Sequence, residues 1–368
     1  MTYDLIFDAR HVRASGIGIY SRCQIDLLRE KVRRRGWVVG LLGYEEQLTW
    51  AADDFDILRV PPAPMYGLRE QLTLGRAVGA LKPKAFWTPH YPFPLLSNVK
   101  TFVTIHDVLH ALDRQQGMRG FGKKVYARWM LRQSLNRSAK VFVPSRSTER
   151  EVERLFGNQQ NVVVAPCGID SSWFEVDGPI DLGPVRLPEN FLLYVGNVKE
   201  HKNLRGLLEA FEVVRNEFDF DLVLAGGAAD VRHEDAQVFE RIQNLGPRVH
   251  LIGNLSFPDL RGVVRRATAL IIPSFYEGVG LPPLEAMASG TPVLASDIPS
   301  LRETCEDAAS YFDPSSVDSM VQSIVSLFER PDFAADLSLR GLVRVRERQS
   351  SIDHRCAIDA IGQSLGLR

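Results

Sequence analysis

The sequence has little of what would mark a membrane-spanning, secreted or disulfide-built protein. No apolar run approaches the roughly 18–20 residues that a bilayer-spanning helix needs. The opening residues, MTYDLIFDAR, lack the basic start and apolar stretch of a signal peptide and predict a first strand. The four cysteines, at positions 23, 167, 305 and 356, show no Cys-x-x-Cys spacing. This scatter favours reduced thiols in the cytoplasm over a disulfide framework or a zinc site.

Strong charge of one sign is also missing from the chain as a whole, although its two halves differ. The 368 residues carry a formal net charge of -1. Residues 1–175 hold 25 Lys and Arg against 17 Asp and Glu, and the remainder holds 19 against 28. We therefore expect one half to face an anionic partner. The length exceeds one ordinary hydrophobic core and predicts two domains.

Short apolar strands alternate with amphipathic helical stretches through most of the chain. This alternation predicts an α/β fold with parallel sheets covered on both faces, here two doubly wound, Rossmann-like domains facing a cleft. Strands are predicted near 4–7, 37–43, 56–60, 85–88, 101–105, 140–144, 161–164, 191–195, 221–226, 248–252, 269–272 and 292–295. Helices are predicted near 16–35, 66–80, 122–138, 145–156, 203–216, 234–245, 257–267 and 281–289, and throughout about 317–365.

The domain boundaries follow from composition. The segment 166–190 is rich in Gly and Pro and weakly periodic, which is typical of a linker. We predict an N-terminal domain at 1–170 and a C-terminal domain at 171–345. A last helix at 346–368 is expected to pack back on the N-terminal domain.

Two glutamates eight positions apart stand out in the stretch SFYEGVGLPPLEAMASG, residues 274–290. Glu277 follows the end of a predicted strand, and Glu285 lies in or next to the first turn of a helix that begins near Pro282 or Pro283. The segment 278–281 between them is able to aim several backbone N–H groups at one point beside the helix N-terminus, which makes a cradle for an anion or a hydroxyl. Taken alone, the pair also fits the two carboxylates of a hydrolase, or a capping acid beside a turn acid.

The run YEGVGLPPLEAMASGTPVLASD closely resembles the E-x7-E signature of retaining glycosyltransferases with the GT-B fold, of the glycosyltransferase family 4 type. The resemblance extends over nearly the whole chain. It implies that Glu277 and the amides of Gly278, Val279, Gly280 and Leu281 hold the hydroxyls of a donor sugar. It also implies that Glu285 binds the ribose of a nucleoside-diphosphate sugar.

A second matching segment is LLYVGNVKEHKNLRGLLEAF, residues 192–211, where a strand ends at Gly196 and a helix starts near Asn203. By the resemblance, Lys202 neutralises the donor diphosphate at the helix N-terminus. Relatives often place an arginine where this chain has Asn197 or His201. Lys199 is our substitute for that second cation, with His201 left open.

Weaker matches lie in the first half. The segment RASGIGIYSRCQIDLL, residues 13–28, has Gly16 and Gly18 before a helix, and the family uses such a loop to approach the donor phosphates. In KTFVTIHDVLH, residues 100–110, His106 follows a strand and matches a family histidine beside the reacting sugar. His106 and His110 have zinc-like spacing without a third ligand. His90 and its aromatic neighbours are assigned to the acceptor pocket.

Two Asp-x-Asp triplets, 54–56 and 219–221, match the metal-binding pattern of the other common glycosyltransferase fold. Both precede predicted strands, and ligands gather where parallel strands end. We therefore predict no metal and no other cofactor, with Lys202 and helix N-termini supplying the positive charge.

A basic surface is predicted in the N-terminal domain. Residues 119–140 carry seven Lys and Arg and no acid, with Phe121, Tyr126, Trp129 and Met130 interleaved, and residues 27–37 add five more cations. The chain has no nucleic-acid module, so we expect anionic lipid rather than nucleic acid, or simply a solvated face. The expected location is cytoplasmic, with the protein peripheral on the inner face of the membrane.

The resemblance implies a hexosyltransferase of polysaccharide assembly, moving sugar from a nucleotide-sugar donor to a lipid-linked or oligosaccharide acceptor. GDP-mannose is the first donor choice, because 194–203 is similar to bacterial mannosyltransferases; UDP-hexoses and dTDP-rhamnose follow. Three other classes remain as alternatives: a nucleotide-sugar 2-epimerase, a glycoside hydrolase, and a non-catalytic nucleotide-sugar-binding subunit. The sequence predicts neither acceptor, linkage nor oligomeric state.

Overall fold

The computed structural model describes residues 2–13, 15–61, 67–92, 94–112, 118–175, 182, 186–227 and 235–367. It divides the chain into two compact units. The first contains Met1–Gly168 and Ile352–Arg368, and the second contains Ile169–Ser351. The predicted boundaries at 170 and 345 lie close to these divisions. Much of the predicted linker, 176–181 and 183–185, is outside the described residues.

The first unit is built on a seven-stranded sheet in which every neighbouring pair is parallel. Its strands are β1 Leu5–Asp8, β2 Val39–Gly43, β3 Asp56–Arg59, β4 Ala85–Thr88, β5 Lys100–Thr104, β6 Lys140–Val143 and β7 Val162–Val164. Its helices are Ser15–Arg35, Glu45–Leu48, Leu68–Leu81, Met118–Arg137, Arg146–Phe156 and Cys356–Leu365.

The strand order of this sheet is β3-β2-β1-β4-β5-β6-β7. From β1 the chain moves outward through β2 and β3, then returns to β4 on the other side of β1 and moves outward again. The order therefore reverses between β1 and β4, and such a switch point opens a crevice at the carboxyl ends of the two strands.

The second unit holds a six-stranded sheet, also with parallel pairs throughout. Its strands are β8 Phe191–Val195, β9 Asp221–Ala225, β10 Val249–Gly253, β11 Ala269–Ile272, β12 Val293–Ser296 and β13 Ser310–Phe312. Its helices are Leu204–Val214, Ala236–Leu245, Phe257–Arg266, Leu281–Ala288, Pro299–Cys305, Val317–Glu329 and Pro331–Ser351. The strand order is β10-β9-β8-β11-β12-β13, so the switch point lies between β8 and β11.

Burial explains why these strands form. In β1, β4, β11 and β12 every residue is buried, as expected of strands whose two faces are both covered by helices. The helices that cover them carry one apolar side: Leu204–Val214 buries Leu207, Leu208 and Phe211 against the sheet. The predicted fold class, two doubly wound α/β domains with a helical C-terminus, is confirmed.

The last helix, Cys356–Leu365, belongs to the first unit. Ala357, Ile358 and Ile361 are buried in the core that also contains Trp37. Lys31 on the first long helix reaches Asp359 at 2.7 Å. The chain thus completes its first unit with its last helix.

Two absences in the described ranges bear on function. No helix among the described residues has the length and apolarity to cross a membrane. All four cysteines are free thiols.

The Asp-x-Asp triplets stand at strand starts, as predicted. Asp56 begins β3 and Asp221 begins β9. Asp54 is paired with Arg29 and Arg33, and Asp221 with Arg248 and His250.

Candidate active site

The switch point of the second sheet brings two loops together. β8 and β11 are parallel neighbours, with Leu192 opposite Ala269, so their carboxyl ends share one edge. One loop follows β8 at 196–203 and the other follows β11 at 273–280. The amide of Phe275 donates to the carbonyl of His201 at 2.8 Å and ties the loops together. Lys202 and Glu277, predicted from separate motifs, thereby come into one site.

Lys202 and Glu277 form a two-pronged ion pair. The Lys202 Nζ lies 2.8 Å from Oε1 and 2.9 Å from Oε2 of Glu277. The buried Ser274 hydroxyl donates to Oε1 at 2.7 Å and helps to hold the carboxylate in place. Side-chain exposures of 23% and 14% leave both groups within reach of a ligand. An ammonium group has three N–H donors, so Lys202 retains capacity for a further anionic oxygen.

The loop that carries Lys202 has a fixed shape. Tyr194 donates from its hydroxyl to the Asn197 carbonyl at 2.8 Å. Asn203 adopts a left-handed φ of 52° and caps the helix Leu204–Val214 through the Gly206 amide. Its side-chain amide donates to the Pro314 carbonyl at 2.8 Å. Lys202 is therefore held one residue before a helix N-cap, where helix dipole and side-chain charge add.

The other predicted members of this loop are placed differently. Gly196 lies at the end of β8, against Gly226. A Cβ added at Gly226 would lie 2.4 Å from the carbonyl oxygen of Gly196. Lys199 is exposed in the same loop, and its carbonyl accepts from the Lys202 amide at 2.8 Å. Its role as the second cation stays a prediction.

The glycine turn after Glu277 leads into the helix Leu281–Ala288. Gly280 has a left-handed φ of 83° at the N-cap, and a Cβ there would come within 2.6 Å of Leu301. The Thr304 hydroxyl donates to the Val279 carbonyl and holds the turn. Within the described residues, the amides of Val279, Gly280 and Leu281 donate to no other group. These N–H groups at a helix start are available to a ligand, and their role as an anion or hydroxyl cradle stays a prediction.

Glu285 lies on the inner side of the same helix and is 6% exposed. Its carboxylate forms no hydrogen bond or ion pair with the described part of the chain. Burial raises the pKa of Glu285 to about 7, because a low-dielectric surrounding disfavours the charged form. The two glutamates are therefore unequal: Glu277 is paired and partly open, whereas Glu285 is buried and has no partner within the described ranges.

His106, Gly16 and Gly18 belong to the first unit. His106 follows β5, and its Nε2 lies 2.8 Å from the Pro89 carbonyl, so in the neutral ring this nitrogen carries the proton. The ring packs edge-on against Tyr20 at 4.8 Å, and burial lowers the pKa of His106. The imidazole is thus held neutral with a defined tautomer.

The placement of the two glycines differs from the prediction of a loop before a helix. The helix begins at Ser15, so Gly16 and Gly18 lie in its opening turns. A Cβ at Gly18 would stand 2.7 Å from the Val12 carbonyl oxygen. The glycine is required by this close approach of the preceding turn, whereas Gly16 has open space around it.

Ser274 and Asn203 were missed as site residues. Ser274 ends the buried stretch after β11 three positions before Glu277, and a small polar residue at the end of an apolar strand was the available signal. The sequence pattern identifies Asn203 only as the start of a helix. The pairing of Lys202 with Glu277 was not predicted either, since it depends on which strands are neighbours.

Comparison with protein families and curated proteins identifies related sequences. Residues 25–173 match the model described as Glycosyltransferase Family 4, and residues 183–342 match Glycosyl transferases group 1. The O-antigen chain mannosyltransferase RfbU of Salmonella typhimurium is 28% identical over 275 residues, covering 74% of this chain and 73% of the relative. The O-antigen chain mannosyltransferase B of Escherichia coli is 29% identical over 232 residues, 60% of each chain.

Solved structures share the fold at low sequence identity. Anabaena Alr3699/HepE in complex with UDP and glucose superposes with a TM-score of 0.76 at 16% identity, covering 98% of this chain and 99% of the other. WaaG, a glycosyltransferase involved in lipopolysaccharide biosynthesis, gives 0.72 at 14% identity, with 98% and 99% covered.

Proposed function

Because the chain belongs to the GT-B glycosyltransferases, whose family 4 and group 1 domains it carries, we propose that it transfers a hexose from a nucleoside-diphosphate sugar with retention of configuration. The acceptor is a hydroxyl of a glycan or a lipid-linked saccharide in cell-surface polysaccharide assembly. The observation that carries the proposal is the Lys202–Glu277–Ser274 cluster beside free amides at the second switch point.

Each group in that cluster has a role set by its chemistry. Glu277 and the amides of Val279, Gly280 and Leu281 bind the hydroxyls of the donor sugar. Glu285 accepts hydrogen bonds from the ribose, since a buried carboxylate without a partner gains most from new donors. Lys202, with Lys199 as second cation, stabilises the leaving diphosphate, where the largest charge develops in the transition state.

In the proposed scheme the acceptor attacks the face from which the diphosphate leaves, as retention in this family is usually explained, and the leaving phosphate helps to take the acceptor proton. No protein carboxylate has to act as an acid in this scheme. In the first unit, His106 is held by the Pro89 carbonyl, and its role beside the reacting sugar stays a prediction from the family resemblance. The diphosphate is neutralised by Lys202 and helix N-termini without a metal, in keeping with the position of both Asp-x-Asp triplets at strand starts.

GDP-mannose is the proposed donor, supported by the two O-antigen mannosyltransferases among the relatives. UDP-hexoses and dTDP-rhamnose are the alternatives, and the UDP complex of the HepE structure keeps UDP-sugars in the comparison.

The test is a donor screen followed by a transfer assay. GDP-, UDP- and dTDP-sugars are compared by thermal shift, because a ligand at 100 times its Kd stabilises the native state by about 2.7 kcal/mol. Donor turnover only with an acceptor present supports a transferase. Turnover without acceptor to an epimeric sugar would indicate an epimerase, nucleotide-free cleavage of glycosides a hydrolase, and binding without turnover a binding subunit.

A membrane-surface location is proposed from the helix Met118–Arg137. Val125, Arg128, Trp129 and Arg132 are exposed at helical spacing, so apolar and basic groups share one face. Such a face inserts apolar groups among lipids while its cations meet anionic headgroups, each cation contributing about 1 kcal/mol. We place the protein in the cytoplasm, peripheral on the inner leaflet.

Flotation with liposomes tests this location. The wild type should float with anionic vesicles at low salt and much less at high salt, since salt screens the attraction. Trp129→Ser should reduce flotation, whereas Trp50→Ser, at another exposed tryptophan of the same unit, should not. Wild-type protein that stays at the bottom of the gradient would contradict the proposed membrane-surface location.

A further inference from the structure

The switch point of the first sheet gathers a second group of polar residues, distant from one another in sequence. His11 lies three residues beyond the end of β1, and His90 lies two residues beyond the end of β4. Glu70 reaches the same place from the helix Leu68–Leu81. One ligand atom from each of these three side chains lies within 4.8 Å of the other two.

Both imidazoles have buried ring nitrogens without a hydrogen-bond partner among the described residues. His90 is 2% exposed, and neither of its ring nitrogens has a hydrogen-bond partner among the described residues. The Nε2 of the half-buried His11 is likewise unsatisfied within the described ranges. The rings meet edge-on with centroids 4.9 Å apart. A buried polar group left without a partner costs about 1–3 kcal/mol, and an ion or water at the site is the usual explanation.

Charged neighbours hold the proposed ligands in place. Arg10 binds Asp8 with two contacts of 2.8 Å and approaches Glu70 at 3.1 Å. Asp8 Oδ2 stands 3.5 Å from His90 Nε2. A carboxylate behind a histidine is the common arrangement around metal-bound imidazoles, because it orients the ring.

We propose that His11, Glu70 and His90 bind a divalent transition-metal ion, with zinc as the ion that suits the ligands best. Two imidazoles and one carboxylate are a typical zinc set, which leaves a fourth position for water. Zinc bonds of about 2.0–2.2 Å require the three ligand atoms to close to roughly 3.4 Å from one another. This needs a shift of the order of one ångström in side chains alone.

The site goes beyond the proposed transfer reaction. Its ligands belong to the first unit, whereas Lys202, Glu277 and Glu285 belong to the second. A metal here would join the loops after β1 and β4 to the helix Leu68–Leu81, and so stabilise the crevice of the first sheet. Its ligands come from three separate segments, so no spacing in the sequence reveals them.

The experiment measures metal content rather than activity, so its result is independent of the transferase proposal. The full chain without a histidine tag is purified from zinc-supplemented cells, desalted, and assayed by elemental mass spectrometry. We expect about one zinc per chain, and a tetrahedral visible spectrum when cobalt replaces it. Metal content at background, with no zinc retained after titration, would overturn the proposal.

Variants assign the ligands. His90→Ala and His11→Ala should each lose the bound zinc, whereas His110→Ala, at an exposed histidine of the same unit, should keep it. Zinc retained at wild-type level in both ligand variants would overturn the assignment. If His90→Ala does not fold, X-ray absorption on the zinc-loaded wild type decides: two imidazoles with oxygen ligands support the site, and any other set contradicts it.

Discussion

Lys202 carries the charge that the proposed reaction needs most, because negative charge develops on the diphosphate as the sugar bond breaks. Lys202→Ala should slow transfer by the equivalent of roughly 2–4 kcal/mol, as for a lost electrostatic stabiliser. The measurement is kcat/KM with the donor found in the screen. Arg205→Ala, on the exposed first turn of the next helix, is the matched control and should keep its rate. If Lys202→Ala has the same kcat/KM as the control, Lys202 does not stabilise the leaving diphosphate.

Glu285 lowers the free energy of unfolding by an amount that depends on pH. Its pKa is about 7 in the folded chain and near 4.5 when unfolded. The folded state therefore holds the proton more tightly, and stability falls as pH rises from about 4.5 to 7. Glu285→Gln, which carries no charge, should gain up to roughly 3 kcal/mol over the wild type above pH 7 and nothing below pH 4.5.

Thermal denaturation of the wild type and Glu285→Gln at pH 4.5 and 8 measures this difference. The same variant should bind the nucleotide more weakly at pH 8, since a neutral amide accepts less strongly from ribose hydroxyls. Equal stability of the two proteins at both pH values would show that folding does not raise the pKa of Glu285.

At the level of elements, the helix Leu281–Ala288 is flanked by two left-handed glycines that differ in their surroundings. Gly280→Ala adds a Cβ within 2.6 Å of Leu301, whereas at Gly290 the nearest atoms stand 3.7 and 3.9 Å away. Both substitutions carry a backbone cost of about 1–2 kcal/mol. Gly280→Ala should in addition displace the free amides and weaken donor binding.

Calorimetric titration with the nucleotide sugar separates the two effects. Gly290→Ala is the control, because it shares the backbone cost and lies at the other end of the same helix. Equal donor affinity in the two variants would mean that the amide cradle does not contact the donor.

How far the sequence predicts the elements depends on their length. The long, buried strands and amphipathic helices were predicted within a few residues, because apolar periodicity reports burial directly. The strand Ser310–Phe312 and the helices Glu45–Leu48 and Pro299–Cys305 were missed, since three to seven residues are too few to show a period. Sequence motifs identify Lys202 and Glu277 separately. Their pairing depends on β8 and β11 being neighbours in the sheet, which the motifs do not show. The His11–His90 contact depends wholly on topology.

For the whole molecule, the absence of a metal requirement in transfer is testable. Added Mg2+ or Mn2+ should not raise the rate, and brief chelation should not lower it, because Lys202 and helix N-termini supply the positive charge. Radiolabelled transfer with and without EDTA measures this. Activity lost to EDTA and restored by Mg2+ or Mn2+ would contradict the proposed chemistry. Restoration by Zn2+ alone would point instead to His11, Glu70 and His90.

The return of the last helix to the first unit has a consequence for biosynthesis. Synthesis runs from the amino end, so residues 1–168 leave the ribosome long before Cys356–Leu365 is made. Until then the core of the first unit lacks Ala357, Ile358 and Ile361, which belong to the same cluster as Trp37. Domains usually fold in order of emergence. Here the domain made first is finished last, so a nascent or truncated chain presents an apolar gap that chaperones and proteases recognise.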